Sequence, residues 1–501
     1  MNDCITEADA LESRVDIGRP VVCVQGLGFV GSAMAIAVAN ARGRDNDRLN
    51  SPVRRAAVEI ANVQVRGGGE APPLYSVIGV DLPNEAGRHR VNCIRRGQMP
   101  FSSGDPRMDE ALARAHAAGN LTATDDPDAF RLADIVLVDI NLDIDWSAPQ
   151  PEVRFGPLER AMDDLGARLR PGALVIVETT VPPGTCERVI APRLAAALEA
   201  RGLPPESIRL AHSYERVMPG AQYYSSIVDY WRVYAGLTVE AADLCERFLA
   251  SVIDVESYPL TRLGSTTASE TAKVLENAYR ATTIAFMEEW GRFAEAVGID
   301  LFEIVGAIRK RPTHANMRQP GFGVGGYCLT KDPLFGAVAA RTLFGRPDLM
   351  FPFSSQAVRT NNAMPLVALD KLRERSGGAL AGRRILLLGI SYREDVGDTR
   401  YAPSQIFVEA AEREGAMVTA HDPLMSHWPE LDRPVLDALP DAGRFDAVVF
   451  TQPSEAYRRL DVAGWLAGAA VDVVDANNVL TDGQRRRLQR LGLDVVSVGR
   501  G

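Results

Sequence analysis

Cysteine, aromatic residues and long apolar runs are all scarce in this chain of 501 residues, and each scarcity excludes a class of protein. The six cysteines are scattered, with no CxxC pair and no histidine at metal-ligand spacing, so we expect neither disulfides nor a metal site. No stretch approaches the roughly 20 apolar residues that a membrane helix needs. The first 20 residues mix both charges without an apolar segment, which argues against a signal peptide. We therefore expect a cytoplasmic protein without membrane insertion.

Positive charge is also in deficit. The chain has 55 lysines and arginines against 65 aspartates and glutamates, which gives a formal net charge of −10. A nucleic-acid-binding protein concentrates basic residues over its footprint, so nucleic acid is not an expected partner. The hydrophobic fraction of 46% and the charged fraction of 24% are typical of globular proteins, and the length predicts two to four domains.

Two regions of alternating strands and helices flank a helical region. The first has short apolar runs at 20–25, 75–81, 133–139 and 173–178, and the second at 384–390, 416–422, 447–451 and 471–475. Between them, a run of helix formers at 269–297 has apolar residues three and four apart, namely Val274, Leu275, Ala278, Ala281 and Ala285. The order predicts an α/β protein with two Rossmann-like, doubly wound parallel-sheet domains joined by a central helical region with a long helix.

The pattern changes predict three domains. We place an N-terminal nucleotide-binding domain at 1–262, a central helical domain at 263–375 and a C-terminal Rossmann-like domain at 376–501. A charged, irregular stretch at about 42–73 interrupts the first domain and is predicted to be an insertion with some helix near 53–60.

A glycine-rich turn follows the first predicted strand and opens the first predicted helix. In a dinucleotide-binding turn Gly26 permits the tight turn, Gly28 lets the backbone approach a pyrophosphate, and Gly31 lets helix and strand pack closely. The phosphates then lie on the helix N-terminus. The candidate cofactor contacts are Gly26, Leu27, Gly28, Phe29, Val30 and Gly31.

Asp81 ends the next predicted strand, where a carboxylate binds the adenosine ribose hydroxyls. A carboxylate at this position repels the 2′-phosphate of NADP and therefore favours NAD. Asp81 lies 50 residues after Gly31 instead of the usual 20 or so, and the insertion at 42–73 accounts for the excess.

Cys328 lies among glycines in the segment 321–333, where a substrate can approach it closely. Lys331 would favour its thiolate, and Asp332 would reach the same centre if a helix begins here. A lone cysteine is more often buried filler than nucleophile, but the surrounding glycines favour the nucleophile.

Six motifs occur in one order: GLGFVG at 26–31, ETTVPPGT at 178–185, SYERVMPG at 213–220, ASETAKVLEN at 268–277, GGYC at 325–328, and GISYRED at 389–395 followed by Arg400. Over roughly residues 20–500 they resemble the UDP-sugar 6-dehydrogenases, nucleotide-sugar dehydrogenases that make uronic acids. Within this family, the ERVMPG segment is more similar to enzymes acting on UDP-N-acetylhexosamines (GlcNAc or ManNAc) than to the UDP-glucose branch.

The resemblance implies that the C6 alcohol of the substrate is oxidised to an aldehyde and then to a carboxylate by two NAD⁺ in succession. Cys328 matches the nucleophile that forms a thiohemiacetal and then a thioester, and Asp332 matches the residue assisting hydrolysis. Lys273 and Asn277, one helical turn apart, match the pair that stabilises a developing oxyanion. The other matches are Glu215 as an acid/base residue near the thioester, Thr180 as a hydroxyl ordering a water beside the nicotinamide, and Arg400 as an arginine on the cofactor side.

On the substrate side, Tyr392 and Arg393 match an aromatic–cation pair that contacts uracil and diphosphate. The implied substrate contacts are Glu215, Lys273, Asn277, Phe322, Gly323, Gly326, Tyr392 and Arg393. Three features depart from the family pattern: Asn477 replaces a usual arginine, the loop 139–145 is unusually acidic, and the arginine given to a neighbouring subunit has three candidates in Arg311, His314 and Arg318.

The resemblance further implies a homodimer or higher homo-oligomer and a product used in capsule or other surface polysaccharide. Three alternatives stay open. They are a UDP-glucose 6-dehydrogenase, a two-electron 3-hydroxyacid dehydrogenase, and a nucleotide-sugar-binding regulator without activity, against which intact Lys273, Asn277, Cys328 and Asp332 argue.

Overall fold

The computed structural model describes residues 16, 18–42, 71–101, 104–148, 150–207 and 209–501. They form two compact units. The first contains the described residues up to Val274 together with Phe335–Leu349, and the second contains Leu275–Leu334 and Met350–Gly501. The three-domain division at 262/263 and 375/376 stays a prediction.

The first unit is built on an eight-stranded sheet in the order β10-β9-β8-β7-β4-β1-β2-β3. All neighbours are parallel except β8 and β9. Its strands are β1 (Val21–Gln25), β2 (Ser76–Val80), β3 (Leu121–Thr124), β4 (Ile135–Val138), β7 (Leu174–Val177), β8 (Arg209–His212), β9 (Val233–Gly236) and β10 (Thr261–Arg262). A separate two-stranded ribbon pairs β5 (Ile144–Asp145) with β6 (Glu152–Val153).

The central strands of this sheet are buried on both faces, as expected of β-branched runs in a parallel sheet. The chain leaves β1 towards β2 on one side, whereas β4 lies on the other side of β1. The crevice at the carboxyl ends of β1 and β4 is therefore the topological switch point, where open α/β sheets bind their ligands.

The second unit contains a five-stranded parallel sheet in the order β12-β11-β15-β16-β17. Its strands are β11 (Arg384–Leu388), β12 (Met417–His421), β15 (Ala447–Phe450), β16 (Asp472–Asp475) and β17 (Val495–Ser497), with an antiparallel ribbon of β13 (His427–Trp428) and β14 (Arg433–Pro434). Together with the first sheet, this confirms the predicted pair of parallel-sheet α/β regions.

Helices connect and cover these strands. In chain order they are α1 (Phe29–Ala39), α2 (Glu85–Arg95), α3 (Pro106–Ala118), α4 (Gly156–Gly166), α5 (Ala191–Ala200), α6 (Ser225–Val228), α7 (Val239–Val252), α8 (Thr266–Val297), α9 (Leu301–Ile308), α10 (Phe335–Thr342), α11 (Pro352–Arg375), α12 (Pro403–Arg413), α13 (Glu455–Arg459), α14 (Val462–Trp465) and α15 (Asp482–Arg490). A π-helical turn, Cys186–Ile190, leads into α5. No helix in the described ranges is long and apolar enough to cross a membrane.

Helix α8 is the long helix expected from the sequence, at 32 residues. Val274, Ala281 and Ala285 are buried on one of its faces, whereas Leu275 is 66% exposed. From Leu275 onwards α8 belongs to the second unit, and its large exposed residues there are three, four or seven positions apart, which places them along one stripe of the helix. This aromatic stripe comprises Leu275, Tyr279, Phe286, Trp290, Phe293 and Val297.

The predicted insertion at 42–73, including its helix near 53–60, lies almost entirely outside the described residues. Its two ends are described and adjacent, because Arg42 and Pro73 form an antiparallel bridge and the Leu74 N–H donates to the Ala41 carbonyl at 3.0 Å. The chain therefore leaves and re-enters the α1–β2 connection at one place. Long excursions at such a place cost little loop-closure free energy.

Candidate active site

The glycine turn between β1 and α1 has the geometry that a dinucleotide requires. Gly26 has φ of +96°, and a Cβ there would lie 2.7 Å from the Asp139 carbonyl oxygen. A Cβ at Gly31 would overlap the Gly26 carbonyl, whereas one at Gly28 would meet no protein atom within 4 Å. The open side of Gly28 lies at the N-terminus of α1, where backbone N–H groups and the helix dipole attract a pyrophosphate. These residues therefore fit NAD.

Asp81 follows β2 and lies beside this turn. One of its carboxylate oxygens accepts from the Leu27 N–H at 3.0 Å and the other from the Leu82 N–H at 2.7 Å. Arg90 of α2 binds both oxygens, at 2.7 and 2.9 Å. Asp81 therefore lies where the adenosine ribose is expected, and the arginine beside it was not predicted from the sequence.

Three buried carboxyl groups lie beyond the switch point, at the carboxyl ends of successive strands: Asp139 after β4, Glu178 after β7 and Glu215 after β8. Glu178 forms an ion pair with Arg232 at 3.1 Å, and the arginine is 2% exposed. Burial raises the pKa of Glu178 to about 7, although Arg232 opposes the shift. Burial, reinforced by the Glu178 and Glu215 carboxylates, raises the pKa of Asp139 well above its ordinary value.

Lys273 of α8 is buried, at 6% exposure, and is not a solvated surface lysine. Its ammonium donates to the Glu215 carbonyl oxygen at 2.8 Å and lies 3.9 Å from the Glu215 carboxylate. That carboxylate accepts from the Val217 N–H, which fixes its orientation. The structure thus brings together two predicted site residues, Lys273 and Glu215, and Thr180 lies half-buried after β7 at the same edge of the sheet.

The ETTVPPGT segment is anchored to α8 by a residue of the ASETAKVLEN motif. The Glu270 carboxylate is fully buried and accepts from the N–H groups of Gly184 at 2.5 Å and Cys186 at 2.7 Å. Burial raises the pKa of Glu270 to about 7 even though both N–H groups lower it. The anchor holds the chain between Thr180 and the π-helical turn.

In the second unit, Cys328 and Asp332 are linked by one helical step, because the Asp332 N–H donates to the Cys328 carbonyl at 3.1 Å. Asp332 is 2% exposed, and its two oxygens accept from the Asn277 amide and the Lys331 ammonium, both at 2.9 Å. Cys328 is exposed, unlike the buried Cys23, Cys186 and Cys245. Lys331 therefore has Asp332 as one partner, and its predicted influence on the Cys328 thiol stays a prediction.

The glycine-rich loop before Cys328 is shaped by two side chains from elsewhere in the unit. The buried Asn361 amide of α11 accepts from the Val324 N–H and donates to the Val324 carbonyl, both at 2.8 Å. The Tyr392 ring packs on the loop so closely that a Cβ at Gly326 would lie 2.9 Å from it. Burial raises the pKa of Tyr392 to about 12, so its hydroxyl stays protonated. Asn361 was not predicted from the sequence.

Arg400 lies against the same loop. Its guanidinium binds the Asp398 carboxylate at 2.6–3.1 Å and lies over the Tyr327 ring, 4.7 Å from the centroid. The neighbouring Arg393 is exposed. Arg400 and Tyr392 therefore frame the Cys328 segment within the second unit.

A cavity of about 310 Å³ opens beside the loop. Gly321–Val324, Arg318, Glu394, Arg458 and Asn477 are among its lining residues, and Tyr392 and Arg393 are not. Phe322 is 3% exposed, and its ring packs 5.9 Å from that of Phe407, so the ring is part of the core and not of the cavity surface offered to a ligand. The Asn477 amide accepts from the Phe322 N–H at 3.3 Å and donates to the Thr451 carbonyl at 2.9 Å, which ties the loop to the sheet.

Of the three candidates for a residue given to a neighbouring subunit, Arg318 lines this cavity of its own chain. Arg311 is exposed, and the His314 ring bonds the Thr313 hydroxyl at 2.9 Å. The choice among the three stays open.

Family models match the chain in three places. All are domains of the UDP-glucose/GDP-mannose dehydrogenase family: the NAD binding domain at 71–243, the central domain at 267–363 and the UDP binding domain at 386–482. Together they cover most of the chain.

Individual relatives agree with the family models. The UDP-N-acetyl-D-mannosamine dehydrogenase of Pyrococcus horikoshii is 29% identical over 354 residues, which cover 70% of this chain and 78% of that protein. The NDP-N-acetyl-D-galactosaminuronic acid dehydrogenase of Ralstonia nicotianae is 26% identical over 470 residues, covering 90% and 95%.

A solved structure of UDP-D-ManNAc dehydrogenase from Pyrococcus horikoshii matches this fold with a TM-score of 0.75 at 24% identity, over 96% of this chain and 99% of that one. A UDP-glucose dehydrogenase from Pyrobaculum islandicum also matches with a TM-score of 0.75, at 23% identity, over 96% and 98%. With the glycine turn and Asp81 in place, these matches confirm the resemblance seen in the sequence. The chain belongs to the UDP-glucose/GDP-mannose dehydrogenase family and is an NAD-dependent UDP-sugar dehydrogenase.

Proposed function

We propose that this enzyme oxidises the C6 hydroxyl of a UDP-N-acetylhexosamine to the carboxylate in two NAD-dependent steps, through a thioester on Cys328. The observation that supports the two-step chemistry most directly is the exposed Cys328 one helical step before Asp332, whose carboxylate Asn277 holds. A two-electron alcohol dehydrogenase needs no such nucleophile. The N-acetylhexosamine is supported by the relatives from Pyrococcus and Ralstonia, which are named for N-acetylated sugars.

In the first oxidation the C6 hydroxyl loses its proton and C6 loses a hydride, for which bound NAD⁺ is the acceptor. Lys273 is suited to stabilise the developing alkoxide, because its buried ammonium is held by Glu215 and is not dispersed in water. We assign Thr180 to order the water that accepts the proton, and Asn277 to help hold the oxyanion.

The second oxidation needs a tetrahedral carbon that can lose hydride. The Cys328 thiolate adds to the aldehyde carbon and forms a thiohemiacetal, which becomes a thioester by losing its hydroxyl proton to water and a hydride to the second NAD⁺. Water then attacks the thioester carbon and expels the thiolate, which restores Cys328 and yields the carboxylate. Asp332 is suited to orient that water, since Asn277 and Lys331 each hold one of its oxygens. We assign Glu215 as the acid/base residue of this step.

We propose that the second unit binds the UDP moiety. The cavity beside the glycine-rich loop has two arginines, Arg318 and Arg458, which suit a diphosphate in a protein of net charge −10. The implied substrate contacts Phe322, Gly323 and Gly326 lie on the same loop, where the Phe322 N–H donates to the Asn477 amide and the Gly326 N–H to the Arg400 carbonyl. Tyr392 and Arg393 stay assigned to uracil and diphosphate, and Arg400 to the cofactor side.

We also propose a homodimer formed through the aromatic stripe of α8. Six large apolar side chains on one face of a helix exceed what a monomer usually leaves in water, and a second copy of the same face is the simplest complement. Trp290→Glu should shift the mass measured by sedimentation from dimer to monomer. A wild-type monomer, or an unshifted variant, would disprove this interface.

The thioester mechanism is tested by Cys328→Ser. We expect uronate formation to stop while NAD binding is retained, with Cys93→Ser, a half-exposed cysteine elsewhere, as the control with normal turnover. Unchanged uronate formation in Cys328→Ser would refute the mechanism. Two NADH per product support the four-electron reaction, one NADH supports the hydroxyacid-type alternative, and UDP-sugar binding without NADH supports a regulator.

Substrate identity is tested by measuring NADH formation with UDP-glucose, UDP-GlcNAc, UDP-ManNAc and their galacto epimers. We expect the highest kcat/KM with an N-acetylated sugar. A clear preference for UDP-glucose would replace that assignment by the UDP-glucose 6-dehydrogenase. The product, a UDP-linked uronic acid, would then serve as a donor for capsule or another surface polysaccharide.

A further inference from the structure

The order of the first sheet assigns the two halves of NAD to opposite sides of β1. The pyrophosphate belongs at the glycine turn after β1, and the adenosine ribose belongs at Asp81 after β2. The remaining half, which ends in the nicotinamide, therefore extends over the carboxyl ends of β4, β7 and β8. Asp139, Glu178 and Glu215 are the residues at those ends.

The charges in this region do not balance if all three carboxyl groups are ionised. The buried cations are Arg232, paired with Glu178 at 3.1 Å, and Lys273, which lies 3.9 Å from the Glu215 carboxylate. In the part of the chain that the structure describes, Glu178 and Glu215 therefore have one cation each, and Asp139 has no cation of its own. An isolated carboxylate buried in protein is so costly that it takes up a proton instead.

The surroundings of Asp139 agree with this count. The residue is 8% exposed, and neither carboxyl oxygen has a hydrogen-bond partner in the described part of the chain. The Asp139 Cβ lies 3.3 Å from the position that a Cβ on Gly31 would occupy, so Asp139 packs against the start of α1, beside the glycine turn. Polar atoms buried without a partner are rare in proteins and indicate a functional demand or a missing ligand.

Among the described residues, the charged groups that act on Asp139 are Glu178, Glu215 and Arg232, and none of them replaces the missing cation. The buried Lys273 has Glu215 as its partner. His212 of β8 is fully buried, and burial lowers its pKa to about 3, so it is neutral. The direction of the Asp139 pKa shift, upward by burial and by its acidic neighbours, supports a bound proton.

We propose that Asp139 holds a proton in the cofactor-free enzyme and releases it when the positively charged nicotinamide ring of NAD⁺ binds at this edge of the sheet. The ring charge then supplies the cation that Asp139 lacks. NADH has the same pyrophosphate but a neutral ring, so Asp139 keeps its proton when NADH binds. The enzyme thereby prefers the oxidised cofactor more strongly as the pH rises.

The magnitude follows from proton linkage. If NAD⁺ binding releases one proton and NADH binding releases none, the affinity for NAD⁺ relative to that for NADH rises by up to tenfold per pH unit. This rise is confined to the pH range between the pKa of Asp139 in the NAD⁺ complex and its pKa in the free enzyme. Because each catalytic cycle takes in two NAD⁺ and returns two NADH, the same linkage would weaken product inhibition at higher pH.

Calorimetry tests this without turnover. NAD⁺ and NADH are titrated into the wild-type enzyme at neutral pH, in phosphate and in Tris, whose ionisation enthalpies differ, so that the difference in heat gives the protons released. We expect release approaching one proton with NAD⁺ and close to none with NADH. Equal release with both cofactors, or none with NAD⁺, would overturn the proposal, and this result requires no variant.

Two variants identify the group. Asp139→Asn mimics the protonated acid, so it should fold, bind both cofactors and lose the proton release. Asp145→Asn, in the same loop but with its carboxylate bound to Ser147 and Arg154, is the matched control and should release protons like the wild type. Undiminished release in Asp139→Asn would assign the proton to another residue and refute the role of Asp139.

Discussion

Replacing Asn361 by alanine should detach the glycine-rich loop from α11. The Asn361 amide is the partner of both polar backbone groups of Val324, with distances of 2.8 Å each, and the side chain is 7% exposed. Gly323, which precedes Val324, has φ of +93°, and this turn keeps Val324 out of any regular hydrogen-bond ladder of a helix or sheet. Alanine therefore leaves one N–H and one C=O without their partner.

The cost can be worked out from these two groups. A buried donor or acceptor left unsatisfied costs about 1–3 kcal/mol, and Val324 is half-buried, so each falls at the lower end. The sum is about 2–4 kcal/mol of unfolding free energy. Because the loop leads directly to Cys328, we also expect kcat/KM to fall by about tenfold or more, since misplacing a reacting group by about 1 Å can cost about 100-fold.

Urea unfolding and steady-state kinetics measure the two effects. Asn362→Ala is a matched control, because it is the same substitution at the next residue of α11 and its side chain is exposed. We expect the control to unfold and react like the wild type. Coinciding unfolding midpoints for the two variants would refute the anchoring role of Asn361.

Three further predictions concern the glycine turn, Asp81 and Glu270. Gly28→Ala should fold normally but bind NAD weakly, whereas Gly31→Ala should be destabilised because its Cβ overlaps a backbone carbonyl; equal unfolding midpoints would contradict this. Asp81→Ala should weaken NAD binding by about tenfold and free Arg90 to accept a 2′-phosphate, so that NADP⁺ turnover rises, and adding Arg90→Ala should cancel that gain. Burial raises the pKa of Glu270 from 4.5 to about 7. The free energy of unfolding should therefore fall by about 3 kcal/mol as the pH rises through that range, because the folded state disfavours the ionised acid. In Glu270→Gln the urea midpoint should therefore depend less on pH between 5 and 8, and an unaltered pH profile would contradict it.

Much of the fold could be predicted because its central strands are continuous apolar runs. Six strands are buried on both faces, so the apolar run of each identifies it as a strand without knowledge of its neighbours in the sheet. They are β1, β2, β4 and β7 in the first sheet and β11 and β15 in the second. β3 and β8 were not singled out, because four-residue strands with polar members, such as Leu121–Thr124, differ little from loops. The pairing of β8 with β9 depends on contacts that only the folded chain makes.

The site was predictable where a motif constrains the local backbone and not where distant residues meet. Gly26, Gly28 and Gly31 act within one turn, and Cys328 and Asp332 within one helical step, so their spacing was informative. Asn361 bonds a residue 37 positions away, and Arg90 bonds Asp81 nine positions away. The proton proposed on Asp139 depends on Glu178, Glu215 and Arg232, so no shared sequence pattern identifies these three residues.

The contrast between Cys328 and the buried cysteines has a practical consequence for redox chemistry. Burial raises the pKa of Cys23, Cys186 and Cys245, which keeps those thiols protonated and shielded from oxidants. Cys328 is exposed on a loop whose glycines leave room for a reagent. Peroxide and alkylating agents should therefore modify Cys328 ahead of these three, and a covalent inhibitor that combines a mild electrophile with a uridine group would be directed to Cys328 by its uridine.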